Sequence, residues 1–194
     1  MNPLFTIGHS NRPLAAFFDL LRENHVTAVA DVRSSPYSRW CPHFNREALQ
    51  RSLKEVHTEY VFLGEELGAR REEPECYRND VADYELIAKT PAFARGLQRV
   101  RRDAETDRVA LLCAEKDPLT CHRTILVCRH LRDDFNIEHI VESGRSESQE
   151  AAETRLLKLA GIAETGLFQN RGDALNDAYD RQGAKIAYRR KANR

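Results

Sequence analysis

RVALLCAEKDPLTCHRTILV, residues 108–127, is the stretch whose reading decides the fold. Its first six residues, RVALLC, form an apolar run of strand length, the strongest buried-strand signal in the chain. From Cys121 the pattern CHRTILVCRHLRDDF (121–135) reads as a helix. Between them, Pro118 and Thr120 turn the chain, with Thr120 suited to cap the helix and Cys121, His122 and Arg123 in its first turn. A strand, a crowded rim and a helix in that order form one unit of an α/β sheet, so the same unit is expected elsewhere.

It recurs in both directions. LFTI (4–7) ends at Gly8, and PLAAFFDLLREN follows with Pro13 in a first helical turn and Leu14, Phe17, Phe18 and Leu21 at helical spacing. VTAVAD (26–31) is a second strand, and a helix from about Asn45 carries Leu49, Leu53 and Val56 on one face. TEYVFL (58–63) and IEHIVE (137–142) complete the strands. Residues 64–80, GEELGARREEPECYRND, form a long polar connection, and such loops are functional or disordered. Two helical pieces, VADYELIAK (81–89) and PAFARGLQRVRRDAET (91–106), divide at Thr90-Pro91. ESQEAAETRLLKLAG (147–161) is a last helix, followed by a basic tail. The expected fold is α/β, a single-domain open parallel sheet of about five strands with helices on both faces, plus a C-terminal helix and basic tail. Residues 1–145 make the α/β domain, and 146–194 are appended to it.

Composition narrows the class. Hydrophobic residues at 41% and charged residues at 31% indicate a soluble globular chain with a polar surface. No apolar run approaches the ~20 residues of a membrane span, and MNPLFTIGHSNR lacks the pattern of a secretory signal. Five cysteines, an odd number, do not suggest a disulfide framework, so reduced thiols in a cytoplasmic protein are expected. The net charge is zero, yet YDRQGAKIAYRRKANR carries six basic residues against the single acid Asp180. That tail suits either phosphate contact or a disordered solubilising end.

In an open parallel sheet, ligands bind beyond the carboxyl ends of the strands. Four loops should therefore meet at one rim: GHSNR (8–12), DVRSSPYSR (31–39), GEELGARR (64–71) and CAEKDPLTCHR (113–123). Arg123 offers a forked donor for phosphate or carboxylate at a helix start, and Glu115 and Asp117 are acids near the same edge. Asp31 leaves a buried strand, and Arg33 either grips a ligand or closes an ion pair with Asp31. Ser34, Tyr37, Ser38 and Arg39 supply varied donors typical of ligand contacts. Ser10 and Asn11 can cap the first helix or bind a ligand, and His9 has no capping role.

The same loop also suits two further chemistries. Cys113, Cys121 and His122 offer three zinc donors, with Cys41 or His43 as a fourth. However, the cysteine spacing is unusual and adjacent Cys and His face one ion poorly. No metal and no cofactor are therefore expected. A cysteine at a strand end before a loop and a helix is similar to the layout of rhodanese-type sulfurtransferases and thiol phosphatases. Here the loop is longer and acidic, and acids beside a thiol raise its pKa.

Taken in order, GHSNR, DVRSSPYSR, Phe44-Asn45, LGEELGAR (63–70) and CAEKDPLTCHR resemble the bacterial family catalogued as domain of unknown function 488, over roughly residues 4–143. The resemblance implies that these loop residues are the signature, including Arg12, Asn45, Arg70 and Cys121. Where the family usually has leucine-glycine-glycine-arginine, this chain has Leu67-Gly68-Ala69-Arg70, which changes the fine geometry of that loop.

The rim chemistry favours hydrolysis or transfer at a nucleoside, nucleotide or nucleic-acid group, such as metal-independent cleavage of an N-glycosidic bond. Glu115 is the expected carboxylate, with Asp31 in support and His122 or His9 as proton donor. The alternatives are thiol chemistry at Cys113, as in a sulfurtransferase or phosphatase, and a non-enzymatic nucleic-acid or nucleotide-binding module that uses the rim and the tail.

Overall fold

Along each central strand, successive apolar residues enter opposite cores, and this alternation builds a sheet covered on both faces. The computed structural model describes residues 3–143, 145–163 and 170–190. In chain order the elements are β1 (Leu4–Gly8), α1 (Leu14–Glu23), β2 (Ala28–Asp31), α2 (Arg46–Glu55), β3 (Glu59–Phe62) and α3 (Gly64–Leu67). The hairpin β4 (Tyr77–Arg78) and β5 (Val81–Ala82) follows, then α4 (Tyr84–Ala88), α5 (Pro91–Thr106) and β6 (Val109–Cys113). A π turn over Arg123–Val127 and a 3-10 turn over Cys128–His130 lead to β7 (Ile137–Glu142) and β8 (Arg145–Ser148). The chain closes with α6 (Gln149–Ala160) and α7 (Arg171–Ile186).

The main sheet has six strands in the order β3-β2-β6-β1-β7-β8. The first five are parallel, and β8 pairs antiparallel with β7 at the edge. This sixth strand was not expected. Its sequence, RSES, has no apolar alternation, and it is in the sheet by pairing with β7, Glu138 opposite Ser148 and Glu142 opposite Arg145.

Ala28, Ala30, Leu111 and Cys113 enter one core with Phe93, Leu97 and Val100 of α5 and with Leu126 and Val127. Val29, Ala110 and Leu112 enter the other, against Phe17, Leu20 and Leu21 of α1 and Leu49 and Leu53 of α2. Burying each such large side chain contributes about 1.5–3 kcal/mol, so these two layers supply most of the driving force. A third core joins Leu119 and Ile125 to Leu156 and Leu157 of α6 and to Ala174, Leu175, Ala178 and Tyr179 of α7.

The helix after β2 lies on one face and the segment after β6 on the other, although the two strands are neighbours. Their following loops therefore part company and leave a crevice between the strand ends, as at the switch point of other open α/β sheets.

Two departures from the expected helices bear on this crevice. The helix expected over 121–135 is a widened π turn and a 3-10 turn, and Arg123 is wholly buried at its start. The tail also contains a full helix, α7, whose N-cap Asn170 accepts from the Asp173 amide. Beyond α7 the chain runs beside the β4–β5 hairpin: Ala82 N donates to Tyr188 O at 2.8 Å and Arg190 N to Asp80 O at 2.8 Å. Asn79 and Asp80 at the tip hold φ of 50° and 61°, as a tight hairpin turn of this hand requires. The long 64–80 connection is thus ordered, and the tail is seated on it as far as residue 190. The last basic residues, 191–194, lie outside the described residues. Among the described residues no helix is long and apolar enough to cross a membrane.

Candidate functional site

The crevice between β2 and β6 is a cavity of about 280 Å³. Arg33, Ser34 and Ser35 after β2 form one wall, and Cys113, Glu115, Cys121 and His122 after β6 form the facing one. Ala69 and Arg70 of the third loop close one side. Tyr84 of α4, with Ile186 and Tyr188 from the C-terminus, closes the other. Gly68 brings the third loop close, because a β-carbon there would stand 2.3 Å from Ser34 Oγ. Ser34 Oγ in turn accepts from Arg70 N at 2.9 Å. Ala69, the departure from the family pattern, is not among the residues with positive φ and is buried against the cavity.

The wall after β6 is held from beneath. Arg123 donates to Glu115 O at 2.7 Å, Lys116 O at 3.2 Å and Thr6 Oγ1 at 3.3 Å. It is a positioning residue with no exposed surface, not a substrate grip. The loop can lie this close only because position 8 is glycine: a β-carbon there would sit 1.8 Å from Glu115 O. Asp117, not Thr120, caps the turn, since its carboxylate accepts from Leu119 N at 2.9 Å. It also receives a forked pair from Arg155 of α6 at 2.8 and 2.9 Å.

Three soft donors meet at this wall. The ligand atoms of Cys113, Cys121 and His122 lie within 4.8 Å of one another, with Cys113 Sγ 3.6 Å from His122 Nδ1. The expectation that adjacent Cys121 and His122 would face apart does not hold. The backbone is extended at Cys121 (φ −135°, ψ 140°) and helical at His122 (φ −61°, ψ −24°), and with this change both side chains reach one point. His122 Nε2 is 2.9 Å from Val32 O, and Arg123 N donates to Cys121 Sγ at 3.4 Å. Glu115 Oε2 accepts from Cys113 Sγ at 3.2 Å.

Electrostatics divides the two thiols. Burial, the hydrogen bond to Cys121 and the Glu115 charge push Cys113 well up. Burial opposes ionisation of Cys121 too, but its hydrogen bond from Cys113 and the charges of Arg123 and His122 outweigh burial and hold it low. Burial, then the Cys121 charge, raises Glu115.

A second polar cluster lies beneath the rim on the other side of the sheet. Asp31 follows Val29 in the pleat and faces α2, away from the cavity. Its Oδ1 accepts from Arg33 N and Nε at 3.1 and 2.8 Å, and its Oδ2 from Arg33 Nη2 and Tyr60 OH at 2.6 and 2.7 Å. Arg33 Nη2 also donates to Phe44 O, and its Nη1 lies 3.1 Å from His9 Nε2. His9 stacks on Phe44 with ring centroids 4.4 Å apart. Burial and the neighbouring Arg33 push its pKa down to about 4, so it accepts from Arg33 as a neutral ring. Asp31 and His9 thus orient Arg33, and Arg33 alone of the three lines the cavity.

The family model for the domain of unknown function DUF488 matches residues 13–129. The chain belongs to that family. The DUF488 match takes in three of the four rim loops and both walls of the crevice, while GHSNR and β7 lie outside it. Comparison with curated proteins and with solved structures finds no match.

Seven of the residues singled out in sequence line this DUF488 crevice: Arg33, Ser34, Arg70, Cys113, Glu115, Cys121 and His122. The others do not. Ser10 Oγ donates to Asn11 Oδ1, and neither caps α1, whose N-cap Pro13 has no side-chain bond. Arg12 donates to Val141 O. Asn45 Oδ1 accepts from Ser38 N, and Ser38 Oγ accepts from the Trp40 and Cys41 amides, so both shape their own loop. Tyr37 is exposed and donates to Glu47, and Arg39 lies over exposed Trp40. Tyr84, Ile186 and Tyr188 were missed. An aromatic inside a basic tail is the one signal that could have pointed to Tyr188.

Proposed function

We propose that this DUF488 chain is a hydrolase or group transferase that acts on a nucleoside, nucleotide or nucleic-acid group held in the β2/β6 crevice. The observation that carries the reading is the place of Glu115. It is the one carboxylate among the described cavity-lining residues, opposite Arg33, Ser34 and Arg70 and beside Tyr84 and Tyr188. Arg70 and Ser34 suit a phosphate or a sugar hydroxyl, while Arg33, held by Asp31, Phe44 O and His9, lends positive charge to the wall. The tyrosines offer flat faces to a base, and Arg70 already lies 4.9 Å from the Tyr188 ring centroid. Glu115 then serves as the proton-transfer group at the bond that breaks. An N-glycosidic bond fits this set, with Glu115 acting without Asp31.

The test is a panel of nucleosides, nucleotides and short single-stranded DNA, with release of base, sugar or phosphate followed by chromatography. Turnover by the wild-type chain should fall about 10²–10⁴-fold in a folded Glu115→Gln variant, the range that a general acid or base contributes. Full activity of that variant, or no turnover of any member of the panel, would count against the reading.

Thiol chemistry remains the second reading because two thiols face the same cavity. The nucleophile would be Cys121 rather than Cys113, and Arg123 is already committed to backbone carbonyls and to Thr6. The tail reading has weaker support: Arg181 pairs with Asp177, and Arg190 donates to the carbonyls of Arg71 and Glu72.

A further inference from the structure

We propose that Cys113, Cys121 and His122 bind one zinc ion and leave its fourth coordination position open to the crevice. The donor set is two thiolates and an imidazole, the soft and borderline ligands that select zinc among the abundant divalent ions. With Zn–S near 2.3 Å and Zn–N of about 2.0–2.1 Å, a tetrahedral site sets sulfur and nitrogen about 3.5 Å apart. Cys113 Sγ and His122 Nδ1 stand 3.6 Å apart, and all three donors fall within 4.8 Å.

The surrounding bonds are those a metal site needs. His122 Nε2 lies against the Val32 carbonyl at 2.9 Å, which places the ring hydrogen on Nε2 and leaves the Nδ1 lone pair facing the sulfurs. The Arg123 amide at 3.4 Å supports the Cys121 sulfur. Two thiolates neutralise a divalent cation, so the occupied cluster adds no net charge to a buried place. Cys113 and Cys121 are only 3% and 1% exposed, and both line the cavity through which an ion would enter.

Glu115 decides the open position. Its Oε2 is 3.2 Å from Cys113 Sγ, yet it falls outside the set of mutually close donors. The carboxylate stands beside the triad, and because all three donors line the cavity, the fourth position opens toward it. Three protein ligands with one open place is the arrangement of reactive rather than purely structural zinc sites. The proposal rests on the triad alone and does not require the hydrolase reading. It departs from the sequence expectation of no metal, which rested on spacing.

The experiment uses the full chain, purified with reductant, stripped by chelator and titrated with Zn²⁺ or Co²⁺. Expected are one metal per chain, a thiolate-to-cobalt charge-transfer band, and tetrahedral cobalt bands that change on adding azide. Cys121→Ser and His122→Ala should each weaken binding by more than the ~10–100-fold that loss of an outer-shell partner costs. Cys128→Ser, at a buried thiol outside the triad, should leave binding unchanged. X-ray absorption of the zinc-loaded wild type should show two sulfur neighbours and lighter atoms, which tests the site even where a variant fails to fold. No metal uptake by the folded, reduced wild type would overturn the proposal. So would a coordination sphere without sulfur, or wild-type metal affinity in both triad variants. Cobalt bands indifferent to azide would overturn the open position.

Discussion

His122 Nε2 lies 2.9 Å from the carbonyl oxygen of Val32, and this bond ties the loop after β6 to the loop after β2. Ninety residues separate the two in sequence, yet they form facing walls of one crevice. Replacing His122 with Phe should leave that buried carbonyl without its partner. The expected loss is about 1–3 kcal/mol in urea unfolding. An unchanged midpoint would mean that the bond contributes nothing.

Gly8 sits under the same wall. Gly8→Ala would place a methyl group 1.8 Å from the Glu115 carbonyl, which is backbone and cannot swing away. The loop and its Arg123 clasp must move. About 3 kcal/mol of destabilisation is expected, at the upper end of overpacking costs. A folded variant with wild-type stability and an unmoved Glu115 amide signal would refute this.

The Asp31–Arg33 pair is buried and forked. Removing one partner leaves a charge without compensation, so Asp31→Ala should cost about 3–5 kcal/mol. Changing both, as Asp31→Leu with Arg33→Met, should cost much less than either single change. A double-mutant cycle with additive losses would show that the two are not coupled.

His139 and His9 predict an acid weakness. Burial, then the Arg123 charge, pushes His139 down to about 3, and burial with Arg33 holds His9 at about 4. In the unfolded chain both titrate near 6.5, so between that pH and their folded values the unfolded state binds more protons. Stability is then complete above about pH 6.5 and falls as the pH drops, by at most about 1.4 kcal/mol per pH unit for each ring. His139 bridges Thr6 and Gln149 in the buried interior beside Arg123, where a charged ring is disfavoured. His139→Gln should flatten the slope between about pH 6 and pH 4, and denaturant midpoints across that range check it. An equal slope in wild type and variant would place the acid sensitivity elsewhere.

Much of this fold is legible in the sequence alone. The apolar runs at 4–7, 26–31, 58–63, 108–113 and 137–142 are all strands: the buried β1, β2 and β6 announce themselves by composition, and the edge strand β3 does so although it is only half-buried. The convergence of four loops at one edge followed from the topology. Which face each side chain takes did not. Asp31 lies one pleat position away from the crevice, and a single residue of parity turned an expected acid into the anchor of Arg33. The triad was hidden for another reason. Cys113 meets Cys121 and His122 only after Gly8 and Arg123 fold the intervening loop down, contacts that local spacing does not carry. Half of the residues that α7 buries are alanine or glycine and another is Gln182, so the helix reads as polar. Tyr188 reaches the cavity only because the chain after α7 returns to the β4–β5 hairpin.

The claim that the β2/β6 crevice is the working site is tested most directly by backbone amide shifts during titration of the full chain with a nucleoside monophosphate. Saturable shifts should cluster at Ser34, Ser35, Arg70, Glu115, His122 and Tyr188, and Arg70→Ala should weaken them. Shifts confined to Tyr37, Arg39 and Trp40 on the outer loop, or none at any concentration, would contradict the account.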